Sequence, residues 1–354
     1  MEPNDKPPLP LARIAISVVA LVAGVALLLV LMVGMPDPVA TPSAGPSSPE
    51  VVVTARPLSP WPATPTPAPT PAPTTGSASP VPTPTPTPEP VLLVAAGDIG
   101  RCDSTADDDT GALAAALPGI VATLGDTAYD SGTRQQLAEC FGGSWGRVKD
   151  RIRFAVTGNH DVMTDKGLPL QEYLGAAAVR DGKTYFSEDV GAWHVVVLDT
   201  DCDTVGGGCR SDSPEATWLK ADLEASDARC TVALYHHPRF SSGYHGSTGS
   251  IKALWRILYE GGVDLVLNGH DHDYERFAPQ DADGNLDDAT GITEIVAGTG
   301  GGKLRSFGRP IANSLVRSSD SYGVLQVSLE ADGWSFRFVD TTDRFSDEGT
   351  GTCH

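Results

Sequence analysis

Residues Val263 to Arg276 read VDLVLNGHDHDYER. A short apolar, β-rich run ends at a glycine, and two histidines, His270 and His272, follow two positions apart. Residues two apart on an extended segment face the same side, so the pair has the geometry of a chelate. For an isolated His-x-His the alternative is an incidental surface pair. Four upstream runs likewise end in polar donors, three of them after a glycine. VLLVAAGD closes on Asp98, and GIVATLGDTAYD on Asp126 and Tyr129. RFAVTGNHD closes on Asn159, His160 and Asp161, and CTVALYHHP on His236 and His237. Carboxylates, imidazoles, an amide oxygen and a phenol are the donors that a pair of hard or borderline cations takes. Ligand sites in α/β proteins gather where strands end. Five such edges in one chain predict a two-metal hydrolase.

The individual residues divide by chemistry. Asp126 has two carboxylate oxygens and can bridge two cations. Tyr129 has an ordinary pKa near 10, so its phenolate at neutral pH needs a strong Lewis acid such as a trivalent ion. Neighbours on a strand point to opposite faces, so only one of His236 and His237 is expected to ligate directly. His160 is expected to face substrate, with Asp161 orienting it. His245, in FSSGYHGST, is a lone loop histidine that could protonate a leaving group; a solvated ring is the plainer reading. His194, inside GAWHVVV, reads as structural. GTGGGK, from Gly298 to Lys303, lacks the spacing of a phosphate-binding loop.

Outward from these edges, strand-like and helix-like segments alternate. TGALAAALP, residues 133–151, SPEATWLKADLEAS and STGSIKALWRILYEGG read as helical. Ser213 is the expected N-cap of the third. KTYFSEDVGAWHVVVLDT reads as a hairpin, and a second hairpin is expected around Ala331-Asp332-Gly333. The pattern predicts an α/β domain of two mixed sheets packed face to face and flanked by helices.

The 354-residue chain is not all of this kind. Residues 14–35, IAISVVALVAGVALLLVLMVGM, carry no charge and are long enough to cross a bilayer. Lys6 and Arg13 precede them, which keeps residues 1–13 in the cytoplasm and sends the rest outside. The run exceeds the length of a usual secretory signal, so a single-pass membrane anchor is expected; a cleaved signal and a secreted protein are the alternative. Residues 36–90 are Pro-, Thr- and Ala-rich and are expected to form a disordered stalk. It could reach roughly 170 Å as polyproline II, enough for association with a cell wall. Residues 91–354 form the catalytic candidate. The formal net charge of −20 argues against nucleic acid as a partner. All six cysteines lie in the expected extracellular part, where disulfides form. Cys202 and Cys209 are the easiest pair to close. Cys102 with Cys140 and Cys230 with Cys353 would complete one of fifteen pairings.

The five motifs in this order resemble those of the calcineurin-like metallophosphoesterases, and more closely of their purple acid phosphatase branch. The matching residues are Gly97-Asp98-Ile99-Gly100, Gly125-Asp126-Thr127-Ala128-Tyr129, Gly158-Asn159-His160-Asp161, Tyr235-His236-His237-Pro238 and Gly269 to Arg276. The wider family usually has a histidine where this chain has Gly100, and Tyr129 is available to compensate. The resemblance covers most of 91–340. It implies a four-layer β-sandwich. It implies one metal held by Asp98, Asp126, Tyr129 and His272, and a second by Asp126, Asn159, His236 and His270. Iron(III) with a divalent zinc, manganese or iron ion is the implied pair. His160 would touch the phosphoryl group, with His237 and His245 in less certain supporting roles. The implied activity is hydrolysis of phosphate monoesters outside the cell, through hydroxide held at the metals. A phosphodiesterase or nucleotide pyrophosphatase is the alternative within enzymes, and a non-catalytic surface-binding module the alternative outside them.

Overall fold

Side-chain alternation along the first strand sets the layering. In β1 (Val91–Ala96), Leu93 and Ala95 are buried in one apolar cluster, while Val94 and Ala96 are buried in another. A strand buried on both faces must lie between two packed layers. The computed structural model of this protein describes residues 89–354. The expected cytoplasmic tail (1–13), membrane segment (14–35) and all but the last two residues of the stalk (36–90) lie outside the described residues. Among the described residues, no helix is long and apolar enough to cross a membrane.

Two mixed sheets form the centre of the fold. The strands are β1, β2 (Ile120–Thr123), β3 (Ile152–Ala155), β4 (Phe186–Val190), β5 (Trp193–Val197), β6 (Cys230–Leu234) and β7 (Leu265–Asn268). They continue with β8 (Tyr274–Phe277), β9 (Thr293–Ala297), β10 (Ser314–Ser318), β11 (Gly323–Leu329), β12 (Gly333–Asp340) and β13 (Glu348–Thr352). One sheet runs β13-β12-β11-β1-β2-β3 and the other β10-β8-β9-β7-β6-β5-β4. β1, β2 and β3 are mutually parallel, as are β5, β6, β7 and β9. The remaining pairings are antiparallel.

Period-two burial builds three cores. Val195, Val197, Val232, Leu234, Leu265 and Leu267 face Leu93, Phe154, Leu325 and Val327 between the sheets. Their strand neighbours Val196, Ala233 and Val266 face outward onto helices α3 (Pro214–Ala225) and α4 (Lys252–Glu260), through Leu219, Trp255 and Leu258. Beyond the other sheet lie α1 (Ala106–Ala116) and the helical run over 134–151, packing Ala114, Phe141 and Trp145. A short helix α2 (Leu168–Leu174) follows. The layers therefore run helix, sheet, sheet, helix. Ser213 caps α3 by accepting from the Ala216 N–H at 3.1 Å.

Some expectations need revision. Residues 134–151 are helical throughout, as expected, but the register changes along them: a wide turn at Leu137–Phe141 interrupts α-helical turns and the run ends as a tighter 3-10 helix over Trp145–Arg151. Strands β8, β10 and β13 and helix α2 were not anticipated. The three disulfides pair Cys102–Cys140, Cys202–Cys209 and Cys230–Cys353.

Candidate metal centre

All five motifs lie just past the C-terminal ends of parallel strands. Asp98, Asp126 and Asn159 follow β1, β2 and β3 of one sheet, and His236 and His270 follow β6 and β7 of the other. The site therefore sits on the seam between the sheets. Cross-links hold the seam: the His270 N–H donates to Asp98 Oδ2 at 2.7 Å, and the Gly97 N–H donates to the Ala297 carbonyl at 2.9 Å. Gly158 permits a close approach of two of these edges. A Cβ there would lie 2.2 Å from the Asp126 amide nitrogen and 2.3 Å from its Oδ1.

The donors form two overlapping groups. Tyr129 Oη lies 2.7 Å from Asp98 Oδ1, 3.2 Å from Asp126 Oδ2 and 3.0 Å from His272 Nε2. On the other side, His236 Nε2 lies 3.4 Å from Asp126 Oδ2 and 3.2 Å from Asn159 Oδ1. Asp126 belongs to both groups. His236 Nδ1 meets the Leu124 carbonyl at 2.8 Å, and His272 Nδ1 meets the Lys303 carbonyl at 2.8 Å. A carbonyl only accepts, so each Nδ1 carries the hydrogen and each Nε2 faces inward.

The electrostatics match a cation-binding set. Burial opposes ionisation of Asp98 and Asp126, yet His272 and His236 outweigh it and hold both carboxyls below their ordinary range. Burial also opposes protonation of His236, but Asp126 pushes its pKa up to about 10. A buried imidazolium between carboxylates occupies the electrostatic role of a cation. The Tyr129 phenol is pushed well above 10 by burial and by Asp98 and Asp126, so only a strong Lewis acid would ionise it. The residues present fit two cations sharing Asp126.

The sequence-predicted residues come together, with changes of role. His237 was expected to point away from His236. Both lie beyond the end of β6, where strand alternation has lapsed, and His236, His237 and His270 bring ring nitrogens within 4.8 Å of one another. Thr200 Oγ1 is 3.1 Å from His237 Nδ1, and burial and His236 lower the His237 pKa to about 3. Asp161 was expected to orient His160. Its backbone begins a tight turn that swings the carboxylate back, where it accepts from the Thr127 and Gly158 N–H groups at 3.0 Å each. His160 instead takes its orientation from the Asp130 carbonyl, 2.6 Å from its Nδ1. His245 is exposed, as a solvated loop ring would be, yet it lies 4.5 Å from the His270 ring and lines the same cavity.

That arrangement accompanies a family match. The sequence matches the family model for calcineurin-like phosphoesterases over residues 88–274. The chain belongs to the calcineurin-like phosphoesterase family. Within the family it sides with the purple acid phosphatases. It is 30% identical over 229 residues to purple acid phosphatase 22 of Arabidopsis thaliana, covering 57% of this chain and 50% of that protein. Purple acid phosphatase 21 of the same plant is 30% identical over 171 residues, covering 44% and 38%. The fold is similar to that of purple acid phosphatase PPD1 from yellow lupin (Lupinus luteus) seeds. The TM-score is 0.65 at 17% identity, over 75% of this chain and 54% of that one. The chain thus spans about half the length, or less, of these relatives. The family's usual first-motif histidine has no room here. A Cβ at Gly100 would lie 2.8 Å from the Phe141 amide nitrogen, and the Tyr129 hydroxyl reaches the donor group instead.

The rim of the site lies largely outside the five motifs. A cavity of about 390 Å³ opens over the donors, lined also by Arg101, Asp130, Lys303 and Arg305. The discounted GTGGGK segment forms part of its wall, through Gly301 and Lys303. The signal available was a run of small residues directly after a strand, next to Lys303 and Arg305.

Proposed function

We propose that the described domain is a two-metal phosphoric ester hydrolase that acts on phosphate monoesters. The observation that carries the reading is the pair of donor groups sharing Asp126. In this reading Asp98, Asp126, Tyr129 and His272 hold one ion, and Asp126, Asn159, His236 and His270 hold the other. Two carboxylates and a phenolate suit a trivalent with a divalent ion: iron(III) with zinc, manganese or iron(II). When bound, such ions make water acidic enough to supply a nucleophile and neutralise charge on the phosphate oxygens.

The chain's own residues do the rest. The Leu124 and Lys303 carbonyls keep His236 and His272 aimed inward. His160 Nε2 stands 3.9 Å from Asp126 Oδ2 and is placed to donate to a phosphoryl oxygen. His245, beside His270 in the cavity, is placed to give a proton to the departing alkoxide. Asp161 fixes the Asp126–Thr127 turn through the Thr127 N–H.

The test uses the full chain, stripped with a chelator and reloaded, with para-nitrophenyl phosphate turnover and metal content measured together. Asp126→Asn is expected to cost more than the roughly 10–100-fold that loss of a ligand's outer partner costs. A loaded chain that holds two ions yet turns over no monoester sinks the proposal. Loss of a visible absorption band in Tyr129→Phe is expected if iron(III) occupies the first position; a colourless, active enzyme overturns only that metal assignment.

We also propose that residues 14–35 anchor the chain in a membrane with the domain outside, on a stalk. The uncharged apolar run and the three disulfides support this reading. A mature N-terminus near Thr41 by mass spectrometry would show cleavage and a secreted protein instead.

A further inference from the structure

We propose that the His245 side of the centre recognises a second anion, so that preferred substrates are phosphate monoesters whose alcohol carries a carboxylate or another phosphate. This rests on the hydrolase reading above. A protein of net charge −20 has placed three cationic side chains, Arg101, Lys303 and Arg305, around one cavity. Arg101 is already neutralised, at 2.8 Å from Asp103 and 3.3 Å from Asp130. Lys303 and Arg305 form no ion pair among the described residues.

Arg305 is the sharper of the two. Its Nε is buried and has no hydrogen-bond partner. Buried polar groups are almost always satisfied, and leaving a charged donor bare is costly. The guanidinium lies over the Tyr244 ring, 4.5 Å from its centroid. A guanidinium presents a planar fork of donors that matches a carboxylate or a phosphate.

Both cations are held in register with the donor groups. The Arg305 N–H donates to the His272 carbonyl at 3.0 Å, and the Lys303 carbonyl accepts from His272 Nδ1 at 2.8 Å. Tyr244, under Arg305, packs 5.2 Å from His245, the residue placed at the departing oxygen. The unpaired charge therefore lies where the alcohol portion of a substrate would sit. The scissile phosphate has its own partners in the donor groups and His160.

The experiment compares phenyl phosphate, para-carboxyphenyl phosphate and hydroquinone bisphosphate on the metal-loaded full chain at low ionic strength. The expected kcat/KM for the anion-bearing esters is about tenfold above that for phenyl phosphate, the worth of one charge-assisted hydrogen bond, with most of the difference in KM. Arg305→Gln is expected to erase the preference while leaving phenyl phosphate turnover within about twofold. A preference limited to one anionic ester names the group recognised. Turnover of phenyl phosphate with no preference overturns this proposal alone. Equal losses on all three esters in Arg305→Gln also overturn it, by assigning the arginine to the scissile phosphate. No turnover of any ester overturns the hydrolase reading itself.

Discussion

At Asp98, Asp126 and His270 the backbone is bent to serve the donors. Their φ angles are 60°, 48° and 72°, in the left-handed region that side chains with a Cβ rarely adopt. Strain of this kind persists where surrounding contacts over-determine it, and it concentrates at functional sites. His194 is a histidine put to another use. Its Nδ1 is 2.7 Å from Asp189 Oδ1 and its Nε2 is 2.9 Å from Asp222 Oδ2. Burial lowers its pKa, but Asp222 and Asp189 outweigh burial and raise it above 6.5. The folded state therefore holds the proton more tightly than the unfolded chain. The resulting stability is complete below about pH 6.5 and disappears as pH rises through the raised value. His194→Gln should lose more stability at about pH 5 than at about pH 9 in urea titrations. Equal losses at both would mean that the ring only fills space.

The motif GHDHDYER looks like one ligand cluster but works as two elements back to back. His270 and His272 face the centre. The intervening acids serve the loop that carries His245: Asp271 accepts from the Ser241 hydroxyl and, at 2.6 Å, from the His245 N–H, while Glu275 accepts from the Ser242 N–H at 2.7 Å. Tyr274 and Arg276, in β8, then bind Asp347. The Tyr274 hydroxyl donates at 2.8 Å, and the guanidinium donates to both carboxylate oxygens at 2.7 and 3.0 Å. Asp347→Ala leaves a half-buried guanidinium without its partner and should cost about 3 kcal/mol, read as a lower urea midpoint at unchanged slope. A loss below about 0.5 kcal/mol would class the contact with exposed ion pairs. This division explains what was legible in the sequence. Apolar runs ending abruptly in Asp, Asn or His, most of them after a glycine, mark both a strand and its loop, so the donor-bearing edges could be read directly. β8 could not, because Tyr274 and Arg276 find Asp347 more than seventy positions away. Nor could the cationic rim, since Lys303 and Arg305 acquire a role only when β9 brings them beside His272. Residues 134–151 could be read as helical from composition, but their change from a wide turn to a tight one could not.

Across the molecule, the disulfides differ in what they constrain. Cys230 and Cys353 are 123 residues apart in sequence, whereas Cys202 and Cys209 are seven apart. In the chain-entropy account, closing the long loop stabilises by about 5 kcal/mol and the short one by about 2 kcal/mol. Replacing Cys230 and Cys353 together with alanine should therefore lower Tm distinctly more than replacing Cys202 and Cys209; the reverse order would show that local loop structure dominates. Cys230 opens β6, and Cys353 directly follows β13 of the other sheet. Past the far end of β6 stands His236, facing Asp126. The sandwich is thus stapled covalently at one end and by its donor groups at the other. A strand that slips by one residue turns its side chains to the opposite face, and the halves of the donor set would then no longer meet. Only a chain whose sheets have found their proper mutual register can present the full set, so ion uptake would double as a test of correct assembly.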